Sequence, residues 1–190
     1  MTGSAVQRPL LFLDVDGPLI PFGATEPYPT YPAGSEPPGG DAHPLLTRLD
    51  PGHGARLAML PCDLVWATTW MDDANELVAP RIGLPRLPVV TWPEPSAIDG
   101  QDERLGLHWK TRTLVEWAAG RPFIWVDDEI TGIDRAWVAT HHRGRALLHR
   151  VDARQGLTDT DYVSLDAWLR EAGPSTTVRH SPAGGTRSRG

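Results

Sequence analysis

Three short apolar runs, each closed by carboxylates or hydroxyls, constrain this chain more than any other feature. Residues 10–14 read LLFLD, residues 62–70 read CDLVWATTW and residues 122–129 read PFIWVDDE. None shows a polar face before its terminal cluster. A strand that is apolar on both sides must be covered on both sides, which is the condition of a parallel sheet held between layers of helices.

The intervening segments suit that arrangement. Helices are expected at 43–50, 54–60, 71–83, 108–120, 130–142 and 158–173, with further strands near 88–91 and at 145–151. Asp72 and Asp73 suit the first turn of the 71–83 helix and Gly83 its end; Lys110 stands near the start of the 108–120 helix and Gly120 stops it. Pro18 to Asp41 is dense in proline and glycine, without periodicity, and reads as a long loop able to cover a site. Its Tyr28 and Tyr31 read more readily as packing within the loop than as ligand contacts. Residues 93–106 read as loop. Residues 174–190 are too polar to bury a core and read as a flexible tail. Alternation of strand and helix therefore predicts one α/β domain over 1–173, a three-layer Rossmann-like fold with a mostly parallel sheet.

Composition narrows the function. With 40% hydrophobic residues in 190, the chain can build one proper core. A net charge of -6 gives no overall basic field for non-specific nucleic-acid binding. The single cysteine, Cys62, excludes an intrachain disulfide, fits a reducing compartment and reads as a small buried residue. The N-terminus lacks the charged and long apolar regions of a signal peptide, and no run approaches the roughly 18 apolar residues of a membrane span. A soluble, cytoplasmic protein with no membrane partner is expected.

In parallel α/β sheets, ligands bind beyond the carboxyl ends of the strands. There the chain places Asp14 and Asp16, then Thr68 and Thr69, then Asp127 and Asp128. Four carboxylates at one edge raise one another's pKa and oppose folding unless a cation neutralises them. The neighbouring donors are hard oxygens, with no histidine or cysteine beside them in sequence, which favours magnesium over zinc or copper. Thr68 and nearby N–H groups can hold a phosphate oxygen, and the Lys110 ammonium can pair with a carboxylate and a phosphoryl group. Together these groups suit phosphoryl transfer, which needs neutralisation and alignment above all.

The ordered set DVDG, LVWATTW, Lys110 and WVDDE resembles the four motifs of the haloacid dehalogenase (HAD) superfamily. The resemblance spans residues 10–130, and the later strand and helix suit the same core. The WAT-W and WVDDE segments are similar to those of HAD domains in multifunctional bacterial RNA-repair proteins. The resemblance implies that Asp14 is a nucleophile forming an aspartyl-phosphate and Asp16 the general acid and then base. It implies that Thr68 binds the transferring group and Lys110 steadies it. Magnesium would be held by Asp14, Asp127 and the backbone carbonyl of Asp16, with Asp128 assisting directly or through water. Gly17, Thr69 and Trp70 would line the substrate site. An acid at Asp16 separates this pattern from the dehalogenases and favours phosphate chemistry.

The sequence departs from the family pattern in two places. Pro18 stands where the family often has a small aliphatic residue, and Thr68 and Thr69 are adjacent, with Thr68 favoured as the phosphate binder. The spacings leave no room for an inserted cap domain, so an open, capless or minimally capped site is expected, of a kind that often serves large substrates such as phosphorylated nucleic-acid ends or proteins. The expected activity is that of a magnesium-dependent phosphatase. The alternative is a catalytically weak HAD-like module that binds a phosphorylated partner. A receiver domain also uses an acidic pair, a threonine and a lysine, but in another order. His141 and His142, adjacent on a helix, read as solvated surface, and His108 as a residue able to face the site. Trp66, Trp117, Trp125, Trp137 and Trp168 read as core. Oligomeric state and substrate identity are open at the level of sequence.

Overall fold

The computed structural model describes residues 7–31, 44–94 and 99–172. The predicted tail, and residues 32–41 of the long loop, lie outside the described residues. Four strands form one parallel sheet: β1 (Leu10–Leu13), β2 (Asp63–Trp66), β3 (Phe123–Asp127) and β4 (Ala146–Arg150), in the order β2-β1-β3-β4. Six helices surround it: α1 (Gly52–Met59), α2 (Ala79–Ile82), α3 (Asp99–Leu105), α4 (Thr111–Ala118), α5 (Gly132–His141) and α6 (Asp159–Ala172). A π-helical turn over Ala74–Val78 leads into α2, and a short 3₁₀ helix, Pro44–Arg48, precedes α1.

Residue alternation along the strands builds two cores. Leu11, Leu13, Ile124 and Val126 point to one face and pack with Leu57 of α1, Ile82 of α2 and Leu165 and Leu169 of α6. Leu10, Phe12, Phe123 and Trp125 point to the other and pack with Leu114 and Ala118 of α4 and Val138 of α5. Both faces of β1 and β3 are thus fully buried, as their apolar sequences require, and each such large side chain contributes about 1.5–3 kcal/mol on burial. Gly54 lets α1 approach α2 closely, since a Cβ there would lie 1.6 Å from the carbonyl oxygen of Ile82.

The topology sets the site. From β1 the chain moves to β2 on one side, then returns past β1 to lay β3 on the other. Strand order therefore reverses between β1 and β3, and the crevice at such a switch point opens at the carboxyl ends of the strands. The register Leu13↔Val126 brings the following residues, Asp14 and Asp127, side by side, and Asp14 N–H donates to the Val126 carbonyl at 3.1 Å.

Several sequence expectations are corrected. The segment 93–106 contains α3, whose polar, glycine-bearing sequence conceals a helix held in place by Asp102, which takes a two-pronged ion pair from Arg112 of α4. The strand expected near 88–91 shrinks to a single bridge, Trp66 to Val89. The helix expected over 108–120 begins at Thr111, because His108–Lys110 form the turn that leads into it. Trp117 is 38% exposed, meeting Phe12 only edge-on from the rim of α4. His142 is buried, not solvated: its Nε2 bonds the Arg121 carbonyl, and its ring meets Phe123 edge-on. No helix among the described residues is long and apolar enough to cross a membrane.

Candidate active site

Asp14 leaves β1 at the switch point, and Asp127 ends β3 beside it. Lys110, at the turn before α4, lies across the pair: its Nζ donates to Asp14 Oδ2 at 2.7 Å and to Asp127 Oδ2 at 2.8 Å. The Lys110 side chain is 3% exposed and that of Asp127 wholly buried, so these charges interact through protein rather than water. Asp127 is further fixed by Trp125 Nε1 on Oδ2 and by Glu129 N–H on Oδ1. Asp14 Oδ1 accepts from Val15 N–H at 2.7 Å.

One ammonium cannot balance the carboxylates around it. Burial, opposed by Lys110 and reinforced by Asp127, pushes the Asp14 carboxyl up to about 7. Burial and then Asp127 likewise raise Asp128 above the ordinary carboxylate value. For Lys110, burial favours the neutral amine, but Asp14 and Asp127 outweigh it and hold the ammonium charged. Oxygens of Asp14, Asp127 and Asp128 lie within 4.8 Å of one another. This set of hard, anionic donors with surplus negative charge fits a magnesium ion, and Asp14 and Asp128 retain unfilled acceptor positions.

Asp16 lies outside that trio. Its Oδ2 accepts from Trp70 Nε1 at 2.9 Å, which aims the carboxylate from the β1 loop toward the β2 loop. Gly17 follows with φ +82°, a conformation that side chains resist, and a Cβ there would lie 2.6 Å from Asp128 Cγ. The Asp16–Ile20 bridge and the Gly17 N–H to Ile20 carbonyl bond close this turn. Across the crevice, Thr68 is buried and its Oγ1 accepts from Trp70 N–H, whereas Thr69 is exposed. Trp92 Nε1 donates to the Thr68 carbonyl and its ring packs edge-to-face on Trp109, which is 46% exposed.

Two further residues take part: His108, which the sequence offered as able to face the site, and Asp134, which it did not. His108 joins Asp127 and Glu129 as a second group of potential ligands, which corrects the expectation that no histidine stands beside the acids. Its Nδ1 accepts from Lys110 N–H at 3.2 Å, so its Nε2 carries the proton donated to Glu129 Oε2 at 3.1 Å. Asp134, on the first turn of α5, is buried and accepts from Thr131 N–H, Thr131 Oγ1, His108 N–H and Thr111 Oγ1. Burial opposes its charge, yet these bonds prevail and hold its carboxyl below the ordinary value. Asp134 thereby ties the start of α4, and with it Lys110, to the start of α5. The T-x-x-D spacing of a capping box was the available sequence signal. Cys62 is remote from this chemistry, and burial pushes its thiol up to about 12.

The arrangement can hold a divalent cation, present a carboxylate oxygen to an electrophile and keep an ammonium beside it. No protein-family model matches the chain, and no curated protein or solved structure matches it.

Proposed function

We propose that this chain is a phosphatase of the haloacid dehalogenase type, acting on phosphate monoesters through an aspartyl-phosphate at Asp14 with magnesium as cofactor. The observation that carries the reading is the convergence of Asp14 and Asp127, 113 residues apart, on the single ammonium of Lys110 at the switch point of the sheet. A structural ion pair alone gives no reason for Asp128 to stand in the same cluster.

A carboxylate oxygen of Asp14 attacks phosphorus as the ester P–O bond breaks, and Asp16 passes a proton to the departing oxygen. Water then attacks phosphorus, Asp16 takes its proton, the bond from phosphorus to Asp14 breaks and inorganic phosphate leaves. Lys110 and the N–H groups around Thr68 steady the charge that develops on the transferring group. Asp14, Asp127 and Asp128 would hold magnesium, which supplies charge neutralisation of the carboxylates and of the phosphoryl oxygens. Trp70 keeps Asp16 oriented, and Trp125 and Glu129 N–H fix Asp127.

Turnover of p-nitrophenyl phosphate with magnesium tests the reading. Asp14→Asn is expected to abolish it and removal of magnesium by a chelator to suppress it. Failure to turn over any of a broad panel of phosphate esters would instead favour a module that binds a phosphorylated partner without processing it.

A further inference from the structure

Beside the carboxylate cluster, at the same edge of the sheet, runs an open groove of about 570 Å³ between the loops that follow β1 and β4. Asp128 belongs to both, so the groove continues outward from the site. One wall is Phe22, 44% exposed, with Gly23; the other carries Arg150, Asp152 and Arg154. The two loops are tied together by Phe22 N–H on the Ala153 carbonyl at 2.8 Å and Leu157 N–H on the Pro18 carbonyl at 2.9 Å.

Several other arginines of the molecule are committed to ion pairs. Arg56 pairs with Asp159, Arg86 with Asp72 and Glu76, Arg112 with Asp102, Arg145 with Glu171 and Arg170 with Asp166. Among the described residues, Arg150 and Arg154 make no ion pair although Asp128 and Asp152 line the same groove. Arg150 donates Nε to the Asp128 carbonyl at 2.9 Å, which orients its fork and leaves both terminal nitrogens available. Arg154 engages only its backbone N–H, on Asp152 Oδ1. Asp152 is occupied by that bond and by Gln155 Nε2, and Asp128 belongs to the carboxylate cluster with Asp14 and Asp127. Two uncommitted guanidinium groups, that of Arg150 oriented by its bond to the Asp128 carbonyl, stand opposite an apolar wall and suit a doubly charged phosphate, which a guanidinium fork grips in two-pronged fashion.

We propose that this groove is a subsite for a second phosphate on the leaving group. The preferred substrates are then phosphate monoesters that carry a further phosphate, and Phe22 covers the organic portion between the two. This rests on the phosphatase reading above.

Steady-state kinetics of the full chain with magnesium test it, using adenosine 3′-monophosphate against adenosine 3′,5′-bisphosphate and fructose 6-phosphate against fructose 1,6-bisphosphate. The bisphosphate of each pair is expected to show a kcat/KM about tenfold or more higher, mainly through KM. Arg154→Glu, an exposed change, is expected to bring the ratio to about one, and Arg150→Ala to reduce it, whereas Arg170→Ala on the outer face of α6 leaves it unchanged. Equal efficiencies within both pairs, or a ratio that survives Arg154→Glu, would overturn the subsite. If p-nitrophenyl phosphate and all four esters are inert, the phosphatase reading fails, and calorimetry decides the groove separately. Adenosine 3′,5′-bisphosphate binding the metal-free chain about tenfold more tightly than it binds Arg154→Glu supports the subsite; equal affinities overturn it.

Discussion

Lys110 is the residue on which the site balances. Its ammonium is the one cation in direct contact with Asp14 and Asp127 among the described residues, and all three are buried. Lys110→Met keeps most of the volume and removes the charge, leaving two carboxylates opposed in a dry site. A loss of about 3–5 kcal/mol is expected in urea unfolding without divalent cations. Magnesium is expected to raise the melting temperature of the variant more than that of the parent, and activity to fall by a factor on the order of 10²–10³. A variant as stable as the parent without magnesium would contradict this account. At Gly17, both the backbone angle and the proximity of Asp128 forbid a side chain. Gly17→Ala is expected to cost about 1–3 kcal/mol by thermal unfolding and to weaken magnesium binding by displacing Asp128.

Among the elements, α4 and α5 are joined at their N-termini by Asp134. Thr131→Ala removes one cap from α5 and is expected to cost about 1 kcal/mol. Asp134→Ala also strands His108 N–H and Thr111 Oγ1 and is expected to cost about 1–3 kcal/mol more. Because it loosens the turn carrying Lys110, it should lower kcat beyond what Thr131→Ala does; equal kcat values for the two would sever Asp134 from the site. This element shows where sequence reading succeeds and stops. The strands β1 and β3 were legible because burial on both faces leaves a local, unbroken apolar run, β2 by its short Leu-Val-Trp core, Asp14 and Asp127 as the punctuation of the runs, and Lys110 by its place before a helix. The meeting of Asp134, His108 and Thr111 was not, since it depends on how two helices pack rather than on neighbours in the chain. Helix α3 was missed because its stability comes from the Arg112–Asp102 pair and not from an apolar stripe. The burial of His142 was missed because it depends on the Arg121 carbonyl and the Phe123 ring, from another element.

At the scale of the whole molecule, pH acts through groups whose burial favours the neutral form, which lacks the proton in a histidine and carries it in a carboxyl. Burial lowers His53, with Asp50 opposing and Arg56 adding, and burial lowers His142 against the pull of the Arg121 carbonyl. The unfolded chain takes up these protons near pH 6.5, the native chain only below that. The histidines therefore withdraw stability as pH falls from about 6.5 toward their native values. Asp14, raised to about 7, works the other way over the interval from 3.8 upward, since its native form holds a proton that the unfolded form has lost. The difference between chains isolates the histidines: His53→Gln with His142→Gln is expected to lose less stability than the parent between pH 7.5 and 5, read from urea midpoints. An equal loss in both chains would refute the assignment.

The order of the sheet has a consequence for synthesis. β1 is translated before the other three strands but lies between β2 and β3, and β3 ends only at Asp127. Its apolar residues must wait, unsheltered on one edge, while more than a hundred further residues are translated. Asp14 is made early and its setting late, so nascent chains halted before β3 are expected to be the species most dependent on chaperones.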